Sequence, residues 1–488
     1  MNRETKGWGG SRPSQTRRNF AMTATDEIAE VEAIMDRARV AQKTYENGAD
    51  QTRYDRAAQA AAWAIMEPSR NKALAELAVA TTGLGNVADK IIKNHRKTLG
   101  LMRDIQGVKT QGILCNDPAS GITEIARPIG VVGAVVPSTN PAATPANNII
   151  NALKCGNAVV VAPSPKGVAS CELLLRYIYD EFDKINLDRD LVQMIPAPGS
   201  KAKTQAMMEL SDRVICTGSQ NNVHRAQTCG TPAVAVGAGN VTVIVDETAD
   251  LTAAAEKITA SKTFDNATSC SSENSVIVVD DVYDDFVAAL ATAGGALVRD
   301  EATIVSKLWP DGHLNRSVIA QDADKMIDAL SMTGQVPADT KFLAVETAGI
   351  GPEHPLSGEK LSRVVALYRA KTFDEAQKIA ERILKFQGAG HSIGIHTADD
   401  ARAVALGAAM PTCRVIVNQA HTYATGGSFN NGMPFSLSMG CGSWGGNAID
   451  DNLHWKHFIQ TTKVIREIPP NEPSLEDIFS EYWSDAGK

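Results

Sequence analysis

From Ile129 onward, short β-branched runs at residues 131–137, 158–163, 192–196, 213–216 and 233–236 are separated by stretches of helical spacing. Runs that are apolar throughout, rather than alternating, suit strands buried on both faces, and their alternation with helices implies a parallel sheet covered by helices. Such a sheet binds ligands at the carboxyl ends of its strands. Three of those ends carry small or polar turns: Pro137-Ser138-Thr139-Asn140-Pro141, Pro163-Ser164-Pro165-Lys166-Gly167 and Thr217-Gly218-Ser219. A second alternating region spans 241–418, with strand-like runs at 243–245, 275–279, 364–368 and 414–417. At 488 residues the chain is long enough for two or three units with their own cores. Ahead of the sheets, apolar spacing predicts helices over 26–45, 51–65 and 71–80.

Cys270 stands in a polar turn, Thr268-Ser269-Cys270-Ser271-Ser272, just after a predicted helix (253–262) and just before the strand at 275–279. A thiol acts as a nucleophile through its thiolate, which exposure, backbone N–H groups and helix ends tune. A cysteine taken alone is more often a small buried hydrophobe, so the case for Cys270 rests on its surroundings. The eight cysteines lie at irregular spacings without Cys-x-x-Cys pairs or neighbouring histidines. That argues against structural zinc and for a reducing, cytoplasmic setting.

A hydrophobic fraction of 43% and a charged fraction of 21% describe a soluble globular chain, and a net charge of −8 with scattered basic residues gives no nucleic-acid footprint. No apolar run approaches the length needed to span a membrane. Residues 1–24 read as a disordered leader, with Met22 as a second possible start. Arg17-Arg18 resembles a twin-arginine export signal, but the acidic residues Asp26, Glu27, Glu30 and Glu32 follow where an apolar core would be required. The segment 422–446 reads as a long Gly-rich loop, and a loop of that length is usually functional. Ser474-Leu475-Glu476-Asp477 is a capping box opening an amphipathic turn, expected to dock on the body of the chain or on a neighbouring subunit. No Gly-x-Gly-x-x-Gly follows the first strand, so a dinucleotide site here lacks the common fingerprint.

Several blocks together resemble the aldehyde dehydrogenase superfamily, and within it the coenzyme A-acylating branch: Pro137-Ser138-Thr139-Asn140-Pro141, Gly237-Ala238-Gly239-Asn240, Ser261-Lys262-Thr263-Phe264-Asp265-Asn266, Glu359-Lys360-Leu361-Ser362, Gly390-His391 and Gly440-Cys441-Gly442-Ser443-Trp444-Gly445-Gly446-Asn447. The resemblance covers about residues 26–466. It implies an α/β fold of two Rossmann-like domains with a small oligomerisation arm. The expected division is a cofactor-binding unit at 25–240 with an arm near 110–126, a catalytic unit at 241–430, and a return to the first unit and the arm at 431–488.

By the same resemblance Cys270 attacks an aldehyde, and Asn140 matches the position that helps hold the resulting oxyanion. On spacing alone Asn140 would be a turn residue before a proline. Ser138, Thr139, Thr217, Gly218, Ser219 and Gly237 match the cofactor cradle, and Glu359 matches the carboxylate that holds the nicotinamide ribose. Hydrolytic relatives place a water-activating glutamate 34 positions before the nucleophile, and here that position is Val236. Valine cannot take a proton, so the acyl thioester is expected to leave on coenzyme A. His391 matches the branch's histidine, as a helper of that exchange or a pantetheine contact, with a buried structural histidine as the alternative.

At the adenosine end, Ala162 and Pro165 replace the residues of hydrolytic relatives. No carboxylate there repels a 2′-phosphate, and Ser164 and Lys166 are placed to meet one. Both NADP and NAD therefore stay open, no metal is expected, and the implied assembly is a homodimer or homotetramer. The polar neighbours Ser269 and Ser271, with His421 and Tyr423 in the approach loop, suggest a small polar or anionic aldehyde, and the resemblance within the branch favours sulfoacetaldehyde. Acetaldehyde or another short aldehyde, a hydrolytic enzyme, and a catalytically silent nucleotide-binding scaffold are the rival readings.

Overall fold

The computed structural model describes residues 24–487. The leader expected at residues 1–24 lies outside these, except for Ala24, which already belongs to the first helix.

Four helices open the chain: α1 (Ala24–Glu46), α2 (Gln51–Met66), α3 (Pro68–Thr82) and α4 (Val87–Ile105). The first three lie where apolar spacing predicts them. Helix α4 escaped that reading because its inward face is polar: Lys90, Lys93, Asn94, Lys97 and Thr98 are buried along it, followed only at its end by Leu101 and Ile105. Asn86 caps it, its side chain accepting from the Asp89 N–H.

The strands are β1 (Gly112–Asp117), β2 (Ile122–Pro128), β3 (Val131–Val136), β4 (Ala158–Pro163), β5 (Val192–Met194), β6 (Arg213–Thr217), β7 (Ala233–Val236), β8 (Val241–Val245), β9 (Glu273–Val279), β10 (Gly295–Val298), β11 (Phe342–Glu346), β12 (Val364–Ala370), β13 (Ile393–His396), β14 (Val415–Val417) and β15 (Ile459–Ile465). They form three sheets. A parallel five-stranded sheet runs β5-β4-β3-β6-β7, and a parallel seven-stranded sheet runs β10-β11-β12-β9-β8-β13-β14. The third, β1-β2-β15, is antiparallel and joins the hairpin after α4 to a strand near the C-terminus. The order of the five-stranded sheet reverses between β3 and β6, which opens a crevice at their carboxyl ends.

Every residue of β3, β8 and β9 is buried, which is why these strands read as unbroken apolar runs. Helices α5 (Ala143–Lys154), α6 (Val168–Lys184), α7 (Lys201–Leu210) and α8 (Gln220–Thr228) alternate with the strands of the five-stranded sheet, and α9 (Leu251–Thr263) leads into the nucleophile turn. One core surrounds the five-stranded sheet and takes in α1, α2, α5 and α6 together with Phe435, Leu453 and Phe458 from the far end of the chain. The seven-stranded sheet has a core on each face.

The C-terminal expectation is corrected in one respect. Ser474 does cap a helix, Leu475–Asp485, through a capping box with Asp477, but none of its residues is buried and Leu475, Ile478, Phe479 and Tyr482 are exposed. It does not pack on the body of its own chain: its apolar side chains face solvent, as do residues 460–465 of β15 leading up to it.

Gly100 lies where α4 passes the Phe435 ring, and a Cβ at that position would overlap the ring. Alanine is favoured over glycine in a helix by about 1 kcal/mol, whereas overpacking costs about 1–3 kcal/mol. Gly100→Ala is therefore expected to destabilise the protein in chemical denaturation, and a gain in stability would show that the segment bearing Phe435 gives way.

Candidate active site

The chain between α9 and β9 makes an unusual turn. Asp265, Asn266 and Ala267 all have left-handed backbone, with φ of 47°, 55° and 60°. Non-glycine residues adopt this region at a cost of about 1–3 kcal/mol each unless the surroundings hold them. Here they do. The buried Asp265 carboxylate accepts from Lys90 Nζ (3.1 Å), Lys93 Nζ, Thr268 Oγ1 (2.8 Å) and the Asn86 N–H (3.0 Å). The Asp265 N–H in turn donates to Asp89, and Asn266 bridges Arg363 and Asp322. Burial works against ionisation of Asp265, but Lys93 and Lys90 outweigh it and hold the carboxyl below its usual range.

This clamp delivers Cys270 to the amino edge of the seven-stranded sheet. Gly239 precedes β8, Glu359 precedes β12 and His391 precedes β13 at the same edge. Opposite lies the carboxyl edge of the five-stranded sheet, with Ser138, Thr139 and Asn140 after β3, Ser164 after β4, and Thr217, Gly218 and Ser219 after β6. Between the two edges is a cavity of about 500 Å³. It is lined by all seven of those residues together with Gly237, Ser269, Cys270, Ser271 and Glu359.

Burial, followed by the nearby Glu359, pushes the Cys270 thiol up to about 12. Its Sγ lies 3.4 Å from His391 Nε2. Burial and then Arg414 push His391 down to about 3, so the ring is neutral. His391 Nδ1 contacts Ser392 Oγ at 2.7 Å, and that hydroxyl contacts His421 Nε2 at 2.9 Å. The resting pair is thus a thiol beside a neutral imidazole rather than a thiolate–imidazolium pair. Gly239 is required beside them, since a Cβ there would overlap the Cys270 carbonyl and crowd the His391 ring.

Lys93 Nζ also donates to Asn140 Oδ1 at 3.0 Å. An ammonium has only protons to give, so this contact fixes the amide orientation and leaves Asn140 Nδ2 free to donate into the cavity. Glu359 accepts from the Gly239 N–H at 3.3 Å, and burial raises its carboxyl to about 7. The cavity end near β4 and β6 suits a dinucleotide: Ser164 Oγ is buried without a partner, and the capped amino end of α8 supplies Ser219, Gln220 and Asn222 to the lining.

Four of the expected residues stand apart from the cavity. Lys166 is exposed, with its Nζ 3.5 Å from the Thr82 carbonyl. His391 and His421 are each 1% exposed, behind Cys270 rather than in the lining. Tyr423 packs on Phe264 with ring centroids 4.6 Å apart and sits beneath Arg96. As direct substrate contacts His421 and Tyr423 are corrected, because each supports a residue that is itself nearer the cavity. Val236 is 4% exposed at the end of β7, outside the lining.

Sequence reasoning missed Lys93, Arg96 and Lys97, which line the cavity from α4. The loop 422–446 carries no lysine or arginine, and the cations arrive from elsewhere in the chain. The spacing of Lys90, Lys93 and Lys97, at i, i+3 and i+7 with Arg96 beside them, was the available signal: basic residues on the face of a helix where apolar residues are expected.

Residues 10–336 match the aldehyde dehydrogenase family model. The chain is also 53% identical over 470 residues, 96% of this chain and 94% of the relative, to the acylating sulfoacetaldehyde dehydrogenase of Cupriavidus necator. The chain belongs to the aldehyde dehydrogenase family. Among solved structures, this aldehyde dehydrogenase is similar to an acetylating aldehyde dehydrogenase from Geobacillus thermoglucosidasius, with TM-score 0.87, 31% identity and coverage of 92% of this chain and 99% of that one. It is also similar to a Rhodopseudomonas palustris propionaldehyde dehydrogenase solved with bound CoA and an acylated cysteine, with TM-score 0.77, 25% identity and coverage of 89% and 97%. The α/β fold implied by the sequence resemblance is thus the fold of acylating members of the family. Among the described residues no cluster could hold a metal ion, and no helix is long and apolar enough to cross a membrane.

Alkylation of Cys270 by iodoacetamide, followed by peptide mass spectrometry, is expected to keep accelerating between about pH 7 and about pH 10, as befits a thiol raised by burial. A plateau reached near neutrality would reveal a preformed thiolate.

Proposed function

We propose that this aldehyde dehydrogenase oxidises a small polar aldehyde to its acyl-CoA thioester with NADP or NAD as hydride acceptor, and that the aldehyde is sulfoacetaldehyde. The observation that carries the acylating reading is Cys270 held against a neutral His391 in a cavity whose only lining carboxylate is Glu359, with a valine at position 236. The similarity to acylating relatives supports the use of coenzyme A, and the Cupriavidus necator relative supports the choice of aldehyde.

In the first half-reaction Cys270 Sγ attacks the carbonyl carbon as its proton passes to His391 Nε2, so thiolate forms only as it is consumed. The oxygen of the thiohemiacetal gains negative charge and is met by Asn140 Nδ2–H and the Cys270 N–H. Collapse of the thiohemiacetal breaks its C–H bond and leaves an acyl thioester on Cys270; a nicotinamide cofactor held at the carboxyl edge of the five-stranded sheet would supply the acceptor for that hydride. Ser164, Thr217, Gly218, Ser219 and the amino end of α8 would hold its diphosphate, Ser138, Thr139 and Gly237 would border it, and Glu359 would hold its nicotinamide ribose. An imidazole pushed down to about 3 gives up its proton readily, which restores the base before the second thiol arrives. The coenzyme A thiol then attacks the acyl thioester as its proton passes to His391, and His391 returns that proton to the Cys270 sulfur as the thioester C–S bond to Cys270 breaks. Nothing at Val236 competes by activating water.

We further infer a homo-oligomer joined through the exposed C-terminal helix and the edge strand β15, whose Ile465 and Val464 are exposed. A reducing cytoplasm fits eight cysteines that are all free thiols.

With purified enzyme, nicotinamide reduction by sulfoacetaldehyde is expected to require CoA and to exceed that by acetaldehyde in kcat/KM. Turnover indifferent to CoA would overturn the acylating reading, and a preference for acetaldehyde would overturn the substrate. Cys270→Ala should abolish activity, and His391→Ala should lower kcat by about 10²–10⁴-fold, the range of a positioned acid–base group. Truncation after Arg466 should reduce the mass seen by light scattering, and an unchanged mass would place the subunit contact elsewhere.

A further inference from the structure

The substrate end of the cavity carries three basic side chains, and among the described residues only one of them has a carboxylate partner. Lys93, Arg96 and Lys97 all line it from one face of α4. Lys93 shares the single Asp265 carboxylate with Lys90, leaving two ammonium groups on one oxygen. Arg96 donates only to neutral acceptors, the carbonyls of Tyr423 (2.7 Å) and Gly427 (3.2 Å) and the Ser428 hydroxyl (3.1 Å). Lys97 is 8% exposed, donates to the Gly426 carbonyl and has no carboxylate within salt-bridge distance among the described residues. Of the residues that line the cavity, the only carboxylate is Glu359, at the amino edge of the seven-stranded sheet rather than on α4.

A buried cation with no counter-charge is costly, and its cost falls when an anion arrives. Burial, then Arg96 and Lys93, hold the Lys97 ammonium well below its usual range, which is the mark of a group lacking its partner. The positions around it are suited to a small head rather than to a chain: Thr268, Ser269, Ser271, Thr422 and Ser436 offer hydroxyls, and Phe264 and Met439 close the sides.

Resting on the reading of the cavity as an aldehyde site, we propose that Lys97, with Arg96 and Lys93, forms the subsite for the anionic head of the aldehyde, a tetrahedral oxyanion such as a sulfonate. Lys97 makes the direct ion pair. Arg96 adds charge while fixing the 423–428 segment over the site. Lys93 joins the head-binding cations to Asn140 and so ties the anion's position to the oxyanion's. The anion selects the substrate and places the carbonyl at Cys270 in one act.

The test compares wild type with Lys97→Met, which keeps the length of the side chain and removes its charge, and with Lys97→Arg, which restores it. The kcat/KM ratio of sulfoacetaldehyde to acetaldehyde, measured with saturating CoA, is expected to fall by about a hundredfold in Lys97→Met, as for loss of one buried charge-assisted contact, and to recover in part in Lys97→Arg. Ethanesulfonate, which carries the head without a carbonyl, should compete with acetaldehyde in wild type and fail to do so in Lys97→Met. A proportional loss toward both aldehydes, or an increase in the KM for CoA with the ratio intact, would overturn the subsite. If wild type prefers acetaldehyde yet is inhibited competitively by ethanesulfonate in a Lys97-dependent way, the substrate reading falls and the anion subsite stands. Absence of that inhibition in wild type would overturn the subsite.

Discussion

The Asp265 carboxylate is the point on which the site depends. It is fully buried, it bonds two lysines of α4, and it stands at the first of three consecutive left-handed residues that lead to Cys270. Removing one partner from such a buried cluster typically costs about 3–5 kcal/mol, because the remaining charges are left without compensation. The cluster therefore does more than stabilise. It welds the amino-terminal helical layer to the nucleophile turn of the other sheet, and through Lys93 it also sets the amide of Asn140. The proposed nucleophile, Cys270, and the proposed oxyanion donor, Asn140, are positioned by one ionic knot.

The chemistry that follows is governed by burial more than by charge. Both Cys270 and His391 are pushed toward their neutral forms, the thiol upward and the imidazole downward. A preformed thiolate would be reactive toward any passing electrophile, whereas a neutral pair waits for a carbonyl whose developing oxyanion is stabilised at the same moment. The Ser392 hydroxyl between His391 and His421 keeps the ring oriented without adding charge behind it. Helix α4 adds to this neutral centre three basic side chains along one wall of the cavity, at the end proposed for the substrate.

All five strands of the smaller parallel sheet and four of the seven of the larger were legible, because their apolar runs are continuous and bounded by turns, whereas the short β10, β11 and β13 were not singled out. Cys270 stood out for a different reason: its polar turn between a helix and a strand, together with the family blocks around it, marked it as the candidate nucleophile. Val236 was readable as an absence, since a side chain without a proton acceptor is informative wherever it sits. Helix α4 was not legible. Its buried face carries lysines, and amphipathic spacing looks for apolar residues; the charges are buried only because Asp265 and the loop carbonyls at 423–428 come to meet them, and those partners lie more than 150 residues away in the chain.

By itself, the sequence determined that two parallel sheets follow one another and where the turns at the ligand-binding edge of the first lie, because these are local matters of side-chain type and spacing, while the roles proposed for Cys270 and Val236 came from family resemblance. Only the tertiary structure decided that His421 and Tyr423 back the site instead of lining it, that Lys166 stays in solvent, and that three cations of α4 face the aldehyde end of the cavity. Those outcomes depend on which distant segments share a small volume. A side chain's charge is written in the sequence, but whether it is neutralised, buried or left waiting for a ligand is settled by the neighbours that folding brings to it.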